Sequence, residues 1–242
     1  MSRTPDAFDD ESPAPVVRFE SVCPTAAQGA AATEISFTVR PGLLYLLTGP
    51  AGVGKSAVLD LIGLSARHAR GKIALFDRDV TRLRPREVPL MRRRIGRVFQ
   101  DLRLDDDLTV FDNVALAVRA TGRPVEDSRH QIAEVLAWLG LGAQMGKRPK
   151  RLSAIDQRRL AIARAVINRP TLVIADEPTG DLDGKAAAAL LRPLIDIHRV
   201  GTTVLIASRR ADLLADAGAT LIALTPTTPA SPDPSFVQEA TS

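Results

Sequence analysis

Eight consecutive residues, GPAGVGKS at positions 49–56, constrain the fold of this 242-residue chain more than any other feature. They follow the apolar run LLYLLT and precede the helical pattern SAVLDLIGL, so they stand between a predicted strand and a predicted helix. Glycines at these spacings let the backbone wrap tightly, and successive N–H groups then point inward at an anion. The sequence therefore predicts a loop that binds a triphosphate.

Every position of this loop has a predicted role in holding ATP and Mg²⁺. Lys55 is expected to reach the β- and γ-phosphates, and the Ser56 hydroxyl is a predicted Mg²⁺ ligand. The loop amides and the N-terminus of the next helix add attraction for phosphate. The predicted nucleotide-binding residues of the loop are Gly49, Pro50, Ala51, Gly52, Val53, Gly54, Lys55, Ser56 and Ala57.

A second apolar run, TLVIADE at positions 171–177, ends in two carboxylates. Acids at the carboxyl end of a parallel strand lie in the crevice where such folds bind ligands. Asp176 is therefore predicted to orient Mg²⁺ and its waters. Glu177, one residue further, is predicted to polarise the attacking water as the catalytic base.

Apolar runs alternate with helical patterns along most of the chain. VVRFESV and ISFTV alternate like half-buried strands, whereas TTVLIA is continuous, as in a strand buried on both faces. Residues 101–146 lack strand signals and are predicted to be mostly helical. A helical pattern is also predicted to extend over residues 56–69. Strands separated by helices predict an α/β fold with a mainly parallel core sheet.

Composition excludes several classes of protein. The hydrophobic share of 45% and the charged share of 25% exclude disorder over most of the length, although residues 1–15 and 225–242 are predicted disordered tails. A single cysteine excludes an intramolecular disulfide, and Cys23 is predicted to be a small, partly buried residue. We expect a cytoplasmic chain, because neither a signal peptide nor a membrane-spanning run is visible.

The motif order resembles the nucleotide-binding domain of ABC transporters: a phosphate loop, a later glutamine, an LS-containing segment and a strand ending in DEP. The resemblance covers about residues 16–224. It implies a P-loop NTPase fold with an antiparallel β-subdomain and a helical subdomain at about 101–158. It also implies that Gln100 is a metal ligand and that residues 180–183 run across a dimer interface.

The stretch at residues 92–122 is similar to the branch of this family that acts in bacterial cell division. That similarity implies a homodimer working with an integral membrane subunit. An altered signature segment, described below, also leaves open a heterodimer with a second, intact ABC ATPase. The chain would then lie at the cytoplasmic face of the plasma (inner) membrane and associate with it only through that partner.

Three departures from the family pattern predict slow hydrolysis. The signature segment keeps Ser153, a predicted ligand of the opposite subunit's nucleotide, but Ala154 and Ile155 replace its two glycines. We expect their added Cβ atoms, above all the branched one of Ile155, to hinder the approach to the γ-phosphate. Arg209 replaces the switch histidine, and Ala26 stands where an adenine-stacking aromatic is expected.

Several alternatives stay open at this stage. Residues 81–97 contain seven arginines, which suit either a solvated helix face or a basic patch facing anionic lipid or acidic residues of a partner. Nucleic-acid binding is not expected, because Phe99 is the one aromatic near that run. Trp138 is predicted to be a core residue. A hydrolysis-poor ATP-binding scaffold that recruits partners at the membrane remains the alternative to a driving ATPase.

Overall fold

The computed structural model describes residues 13–24, 34–210, 212, 214 and 217–225. The prediction about Ala26 and most of the two predicted tails lie outside these residues. In the part of the chain that is described, two sheets carry the fold, one parallel and one antiparallel. The predicted α/β class, with a mainly parallel core sheet and an antiparallel subdomain, is confirmed.

The parallel sheet positions the candidate site. Its strands, in spatial order, are β6 (Ile95–Val98), β7 (Leu172–Asp176), β8 (Thr203–Ala207), β3 (Leu44–Thr48) and β9 (Thr220–Ala223). All residues of β7 and β8 are buried, as their continuous apolar runs predict. The two strands pair with Asp176 opposite Ala207, so the segments that follow them leave the sheet side by side.

Alternate residues of the parallel sheet enter two separate cores. Leu44 and Leu46 belong to a core shared with the helices that follow residue 101, whereas Tyr45 and Leu47 face the first helix and the antiparallel sheet. That second sheet is formed by β2 (Ile35–Val39), β1 (Val17–Pro24), β4 (His68–Leu75) and β5 (Arg78–Asp79). The central strands β7, β8 and β3 are thus covered on both faces, whereas β9 is largely exposed. A ligand would reach the central strands at their ends.

The described part of the chain also contains six α-helices. They are α1 (Lys55–Ile62), α2 (Val88–Arg92), α3 (Val110–Arg119), α4 (Arg129–Trp138), α5 (Ala154–Val166) and α6 (Gly184–Arg199). Residues 101–153, all of them described, contain helices and turns and no strand. The limits of a helical subdomain at about 101–158 stay a prediction. Among the described helices, none is both long enough and apolar enough to cross a membrane.

Two local predictions are wrong, and one is confirmed. The helix expected over residues 56–69 ends at Ile62, because Gly63 caps it and Leu64 takes a positive φ of 56°, after which the chain turns into β4. Trp138 is 45% exposed, since Ile132 and Leu136 form the buried face of α4 and the tryptophan closes the helix beside them. Cys23 is buried, as predicted.

Candidate active site

The predicted phosphate loop lies between β3 and α1 and is open on one side. Gly52 and Gly54 have φ values of 78° and 100°, and a Cβ built on either would meet no described atom within 4 Å. Gly49 differs, because a Cβ there would lie 2.5 Å from the carbonyl oxygen of Leu224. The loop therefore combines a backbone that only glycine adopts readily with open space where phosphate can approach.

The Lys55 side chain is buried at the first position of α1. Its Nζ atom donates to the carbonyl oxygens of Gly49 at 2.7 Å and Pro50 at 3.1 Å. A lysine ammonium has three N–H donors, so these two carbonyls leave one for a further acceptor. A buried cation held against its own loop in this way provides a charged contact for a phosphate oxygen.

Asp176, at the carboxyl end of β7, is buried beside Ser56. Burial raises the pKa of this carboxyl and outweighs the opposing hydrogen bond with Ser56 and the positive charge of Arg97. The Asp176 Oδ1 atom has no hydrogen-bond partner among the described residues. A buried carboxylate oxygen left unpaired needs a partner, and a cation or its bound water supplies one.

Glu177 leaves β7 with a left-handed φ of 40°, and its N–H donates to the Ala207 carbonyl oxygen at 2.9 Å. Its side chain is only 15% exposed. The Ser208 hydroxyl donates to Glu177 Oε2 at 3.3 Å, and Arg209 Nε lies 3.5 Å from Glu177 Oε1. Both oxygens of the predicted base thus contact residues that follow β8.

One cavity of about 370 Å³ brings most of the predicted site residues together. Its lining residues are Ala51, Gly52, Gly54, Lys55, Ser56, Gln100, Asp176, Glu177 and Arg209. Gln100 is exposed and also lines an adjoining cavity of about 500 Å³ with Ser56 and Asp176. The predicted metal ligands therefore share one region, and their roles stay predictions.

Ser208 and Arg97 were missed as neighbours of the site. Ser208 directly follows a buried parallel strand, and that position could have indicated it, because carboxyl ends of parallel strands meet at one edge. Arg97 contacts Asp60 of α1 and influences Asp176 by its charge. No sequence signal pairs Arg97 with Asp60, since the two residues lie 37 positions apart.

Ser153 does not line this cavity and instead caps α5. Its Oγ atom accepts from the Asp156 N–H at 3.2 Å and donates to Asp156 Oδ2 at 2.8 Å. Burial acts to raise the pKa of Asp156, but the hydrogen bonds from Ser153 and Gln144 and the charge of Arg159 lower it overall. The role predicted for Ser153, at a partner's nucleotide, is compatible with this position and stays a prediction.

The hindrance expected from Ile155 stays a prediction, but the structure shows where this residue lies. Its side chain is half-buried and packs against the core that surrounds the helices after residue 101. Ala154, in contrast, is exposed at the first position of α5. Residues one apart on a helix point about 100° from each other, so the two side chains have different surroundings. Ala154 is thus the more exposed of the two replacements, and Ile155 is the one that contributes to packing.

This difference predicts unequal losses of stability when each residue is replaced by glycine. We expect Ile155→Gly to lower the free energy of unfolding by about 2–4 kcal/mol, because it removes packed side-chain atoms and adds glycine flexibility. Ala154→Gly should cost about 1 kcal/mol or less. Urea unfolding followed by circular dichroism measures both. Equal losses of stability in the two variants would contradict the inward position of Ile155.

The sequence matches a known protein family and its curated members. The profile of the family described as "ABC transporter" matches residues 32–180. The cell division ATP-binding protein FtsE of Escherichia coli strain K12 is 41% identical over 200 residues, which cover 82% of this chain and 90% of that protein. FtsE of Bacillus subtilis strain 168 is 37% identical over 180 residues, which cover 74% and 79%.

Solved structures agree with these sequence matches. The dimeric structure of MJ0796, a bacterial ABC transporter cassette, matches with a TM-score of 0.78 at 28% identity and covers 86% of this chain and 94% of that one. A dimeric post-hydrolysis state of the same cassette, bound to ADP and Pi, gives the same TM-score. The chain therefore belongs to the ABC transporter family, as an ATP-binding ATPase subunit similar to FtsE.

Proposed function

We propose that this chain binds MgATP as a dimer and hydrolyses it slowly to drive an integral membrane partner of the FtsX kind in cell division. It would do so at the cytoplasmic face of the inner membrane. One observation carries the proposal: the Lys55 ammonium, the unpaired Asp176 oxygen and the Glu177 carboxylate line a single cavity behind the phosphate loop.

The residues around Asp176 fit a magnesium ion. Ser56, Gln100 and Asp176 offer hydroxyl, amide and carboxylate oxygens, which are the ligands that Mg²⁺ prefers. The ion would supply charge neutralisation of the β- and γ-phosphates. Mg²⁺ in proteins usually keeps several waters and has few protein ligands. Oxygens from three side chains are therefore enough to hold the ion.

Asp176→Asn tests this assignment through stability. The raised pKa of Asp176 means that its charge costs stability above that pKa, and that the cost disappears as pH falls towards the ordinary range near 4. Asn at this position should raise the melting temperature at pH 7 by about 2–4 °C, equivalent to about 1 kcal/mol. The difference should vanish near pH 4.

The same variant should lose most of the thermal stabilisation that MgATP gives the wild type. Asp127→Asn, at an exposed carboxylate in a short helical turn, is the matched control and should change neither quantity. An Asp176→Asn chain that is less stable at pH 7, yet still stabilised fully by MgATP, would exclude Asp176 as a metal ligand.

Different residues of the chain would bind the phosphate, hold the metal ion and accept the proton. Lys55 and the loop amides would hold the transferred phosphate in place, and Ser56 and Asp176 would fix its metal ion. Glu177 would accept the proton of the attacking water at its carboxylate. Catalysis of phosphoryl transfer is mostly positioning and charge stabilisation, so the rigid loop and the buried strand ends suit the task.

Dimer formation is supported by two segments that do not line the nucleotide cavity. Neither Ser153 nor the loop from Gly180 to Asp183 lines the cavity that contains Lys55. The Arg158 side chain lies against Gly180 and joins α5 to that loop. Asp183 caps α6 by accepting from the Ala186 N–H at 2.9 Å. These ordered and largely exposed segments are available to a second subunit.

A groove next to Gln100 is the proposed docking site for the membrane partner. It has a volume of about 440 Å³ and lies between α2, β6 and α3. Leu116 gives it an exposed apolar contact, and Arg92, Arg93 and Arg164 give it positive charge. An amphipathic helix with acidic residues would match this combination. Phe99 lines this groove and also the cavity that contains Gln100 and Asp176.

Leu116→Glu should abolish co-purification with the FtsX-like subunit of the same organism while leaving basal ATPase activity unchanged. The reason is that a carboxylate replaces an exposed apolar side chain that lines the groove. Val200→Glu is the matched control, because Val200 is also exposed but lies at the end of α6. Retained co-purification of the Leu116 variant would overturn this docking site.

A second function, a hydrolysis-poor ATP-binding switch that recruits partners, is favoured by the contacts of Glu177. Ser208 and Arg209 occupy both of its carboxylate oxygens. A base held in this way is less available to water. The two functions differ in turnover, and ATP hydrolysis measured with the membrane partner present separates them.

A further inference from the structure

Arg209 connects the predicted base to the mouth of the phosphate site. Its Nε atom lies 3.5 Å from Glu177 Oε1, and the same side chain lines the cavity that contains Lys55 and Ser56. The arginine is 62% exposed, whereas Glu177 is 15% exposed. An exposed cation thus contacts a nearly buried anion beside the proposed nucleotide site.

The contact between these residues follows from the sheet. Asp176 and Ala207 are opposite each other in β7 and β8, and the Glu177 N–H donates to the Ala207 carbonyl oxygen. Glu177 is therefore fixed one residue beyond the sheet and Arg209 two residues beyond it. Ser208, the residue before Arg209, donates its hydroxyl to Glu177 Oε2. This hydrogen bond holds the carboxylate in place if the arginine moves.

We propose that Arg209 is shared between Glu177 and the terminal phosphate of ATP, so that ATP binding releases the base. The proposal rests on the proposed function of this site and adds how the site distinguishes ATP from ADP. Without nucleotide, or with ADP, Arg209 stays paired with Glu177. With ATP, the guanidinium turns to the γ-phosphate, and Glu177 Oε1 becomes available to water.

The charges favour this exchange. Ion pairs with an exposed partner contribute little stability, so the resting contact is easily replaced. A terminal phosphate carries more negative charge than one carboxylate, and the planar guanidinium matches phosphate oxygens with two parallel N–H donors.

The alternative is that Arg209 is a solvated surface residue whose contact with Glu177 has no effect on nucleotide binding. The two possibilities differ in whether the effects of Glu177 and Arg209 on ATP affinity depend on each other. Substitutions at residues that share a partner are non-additive, whereas independent substitutions add. A double-mutant cycle on nucleotide binding therefore tests the proposal.

The experiment uses the full chain and calorimetric titration with a non-hydrolysable ATP analogue and with ADP. The proteins are the wild type, Glu177→Gln, Arg209→Ala and the double variant. Glu177→Gln should tighten analogue binding about two- to fivefold, because it removes the competing charge. It should leave ADP binding unchanged. In the Arg209→Ala background the same substitution should have no effect on either ligand.

Arg209→Ala alone should weaken the analogue about tenfold, the loss of one charge-assisted contact, and leave ADP unaffected. Arg209→Lys, which keeps the charge but not the fork, should recover part of the preference for the analogue. Arg192→Ala is the charge-matched control, because Arg192 pairs with Asp196 on α6, away from the site. It should bind both ligands like the wild type.

Additive effects of the two substitutions, or equal losses for ADP and the analogue in Arg209→Ala, would overturn the proposal. Failure of the proposed function would look different, because the wild type itself would then bind neither nucleotide. If the wild type binds both ligands and the effects of the two substitutions are additive, the nucleotide site is supported and only the proposed role of Arg209 is refuted.

Discussion

Replacing Lys55 with alanine is expected to weaken MgATP binding about 30- to 150-fold, equivalent to about 2–3 kcal/mol. The Lys55 ammonium is buried, and two loop carbonyls fix it where a phosphate oxygen would arrive. Its removal takes away both the charge and a donor that water cannot replace in a buried site. Calorimetric titration of the two proteins with MgATP measures the loss.

Lys72→Ala is the matched control, because Lys72 is an exposed lysine on the antiparallel sheet. We expect it to bind MgATP like the wild type. The Lys55 variant should keep its melting temperature to within a few degrees, since a buried ammonium costs desolvation energy that alanine avoids. Equal affinities in the Lys55 variant and the wild type, with both folded, would refute the location of the phosphate site.

The phosphate loop and the two acids could be predicted because their positions depend on local sequence. A strand, a glycine-rich turn and a helix follow one another without interruption, and parallel strands end at a common edge. Lys55, Asp176 and Glu177 accordingly line one cavity, as the pattern of apolar runs indicates. No long-range detail was needed for this step.

The contact between Arg209 and Glu177 could not be predicted, because it depends on the register of two strands that are distant in sequence. A shift of one residue in the pairing of Asp176 with Ala207 would turn the side chains that follow to the other face. The sequence indicates only that an arginine stands in an unusual place. Its partner becomes visible in the folded chain.

The packing of Ile155 could not be predicted for a similar reason. A family motif states which residues replace its glycines, but the helix position decides which way each side chain points. Ser153 caps α5, so Ala154 and Ile155 occupy its first two positions, and the core of the helical segment takes the larger one. Tertiary packing, rather than the local motif, determines what the added atoms obstruct.

Glu177→Gln is expected to lower the rate of ATP hydrolysis about 100- to 10,000-fold while MgATP binding is retained. The amide has nearly the shape of the carboxylate and can still accept from the Ser208 hydroxyl, so the loop after β7 should keep its conformation. What it loses is the ability to accept a proton from water. Single-turnover hydrolysis, together with nucleotide titration, separates these two effects.

A variant that binds MgATP without hydrolysing it should also accumulate as the ATP-bound dimer. The reason is that the dimer would dissociate only after ATP hydrolysis, which this variant no longer carries out. Size-exclusion chromatography in MgATP measures this, and Glu134→Gln, at an exposed glutamate on α4, is the matched control. A Glu177→Gln chain that hydrolyses ATP at the wild-type rate would mean that another group activates the water. The contacts of Ser208 and Arg209 with Glu177 would then stabilise the loop after β7 without taking part in catalysis.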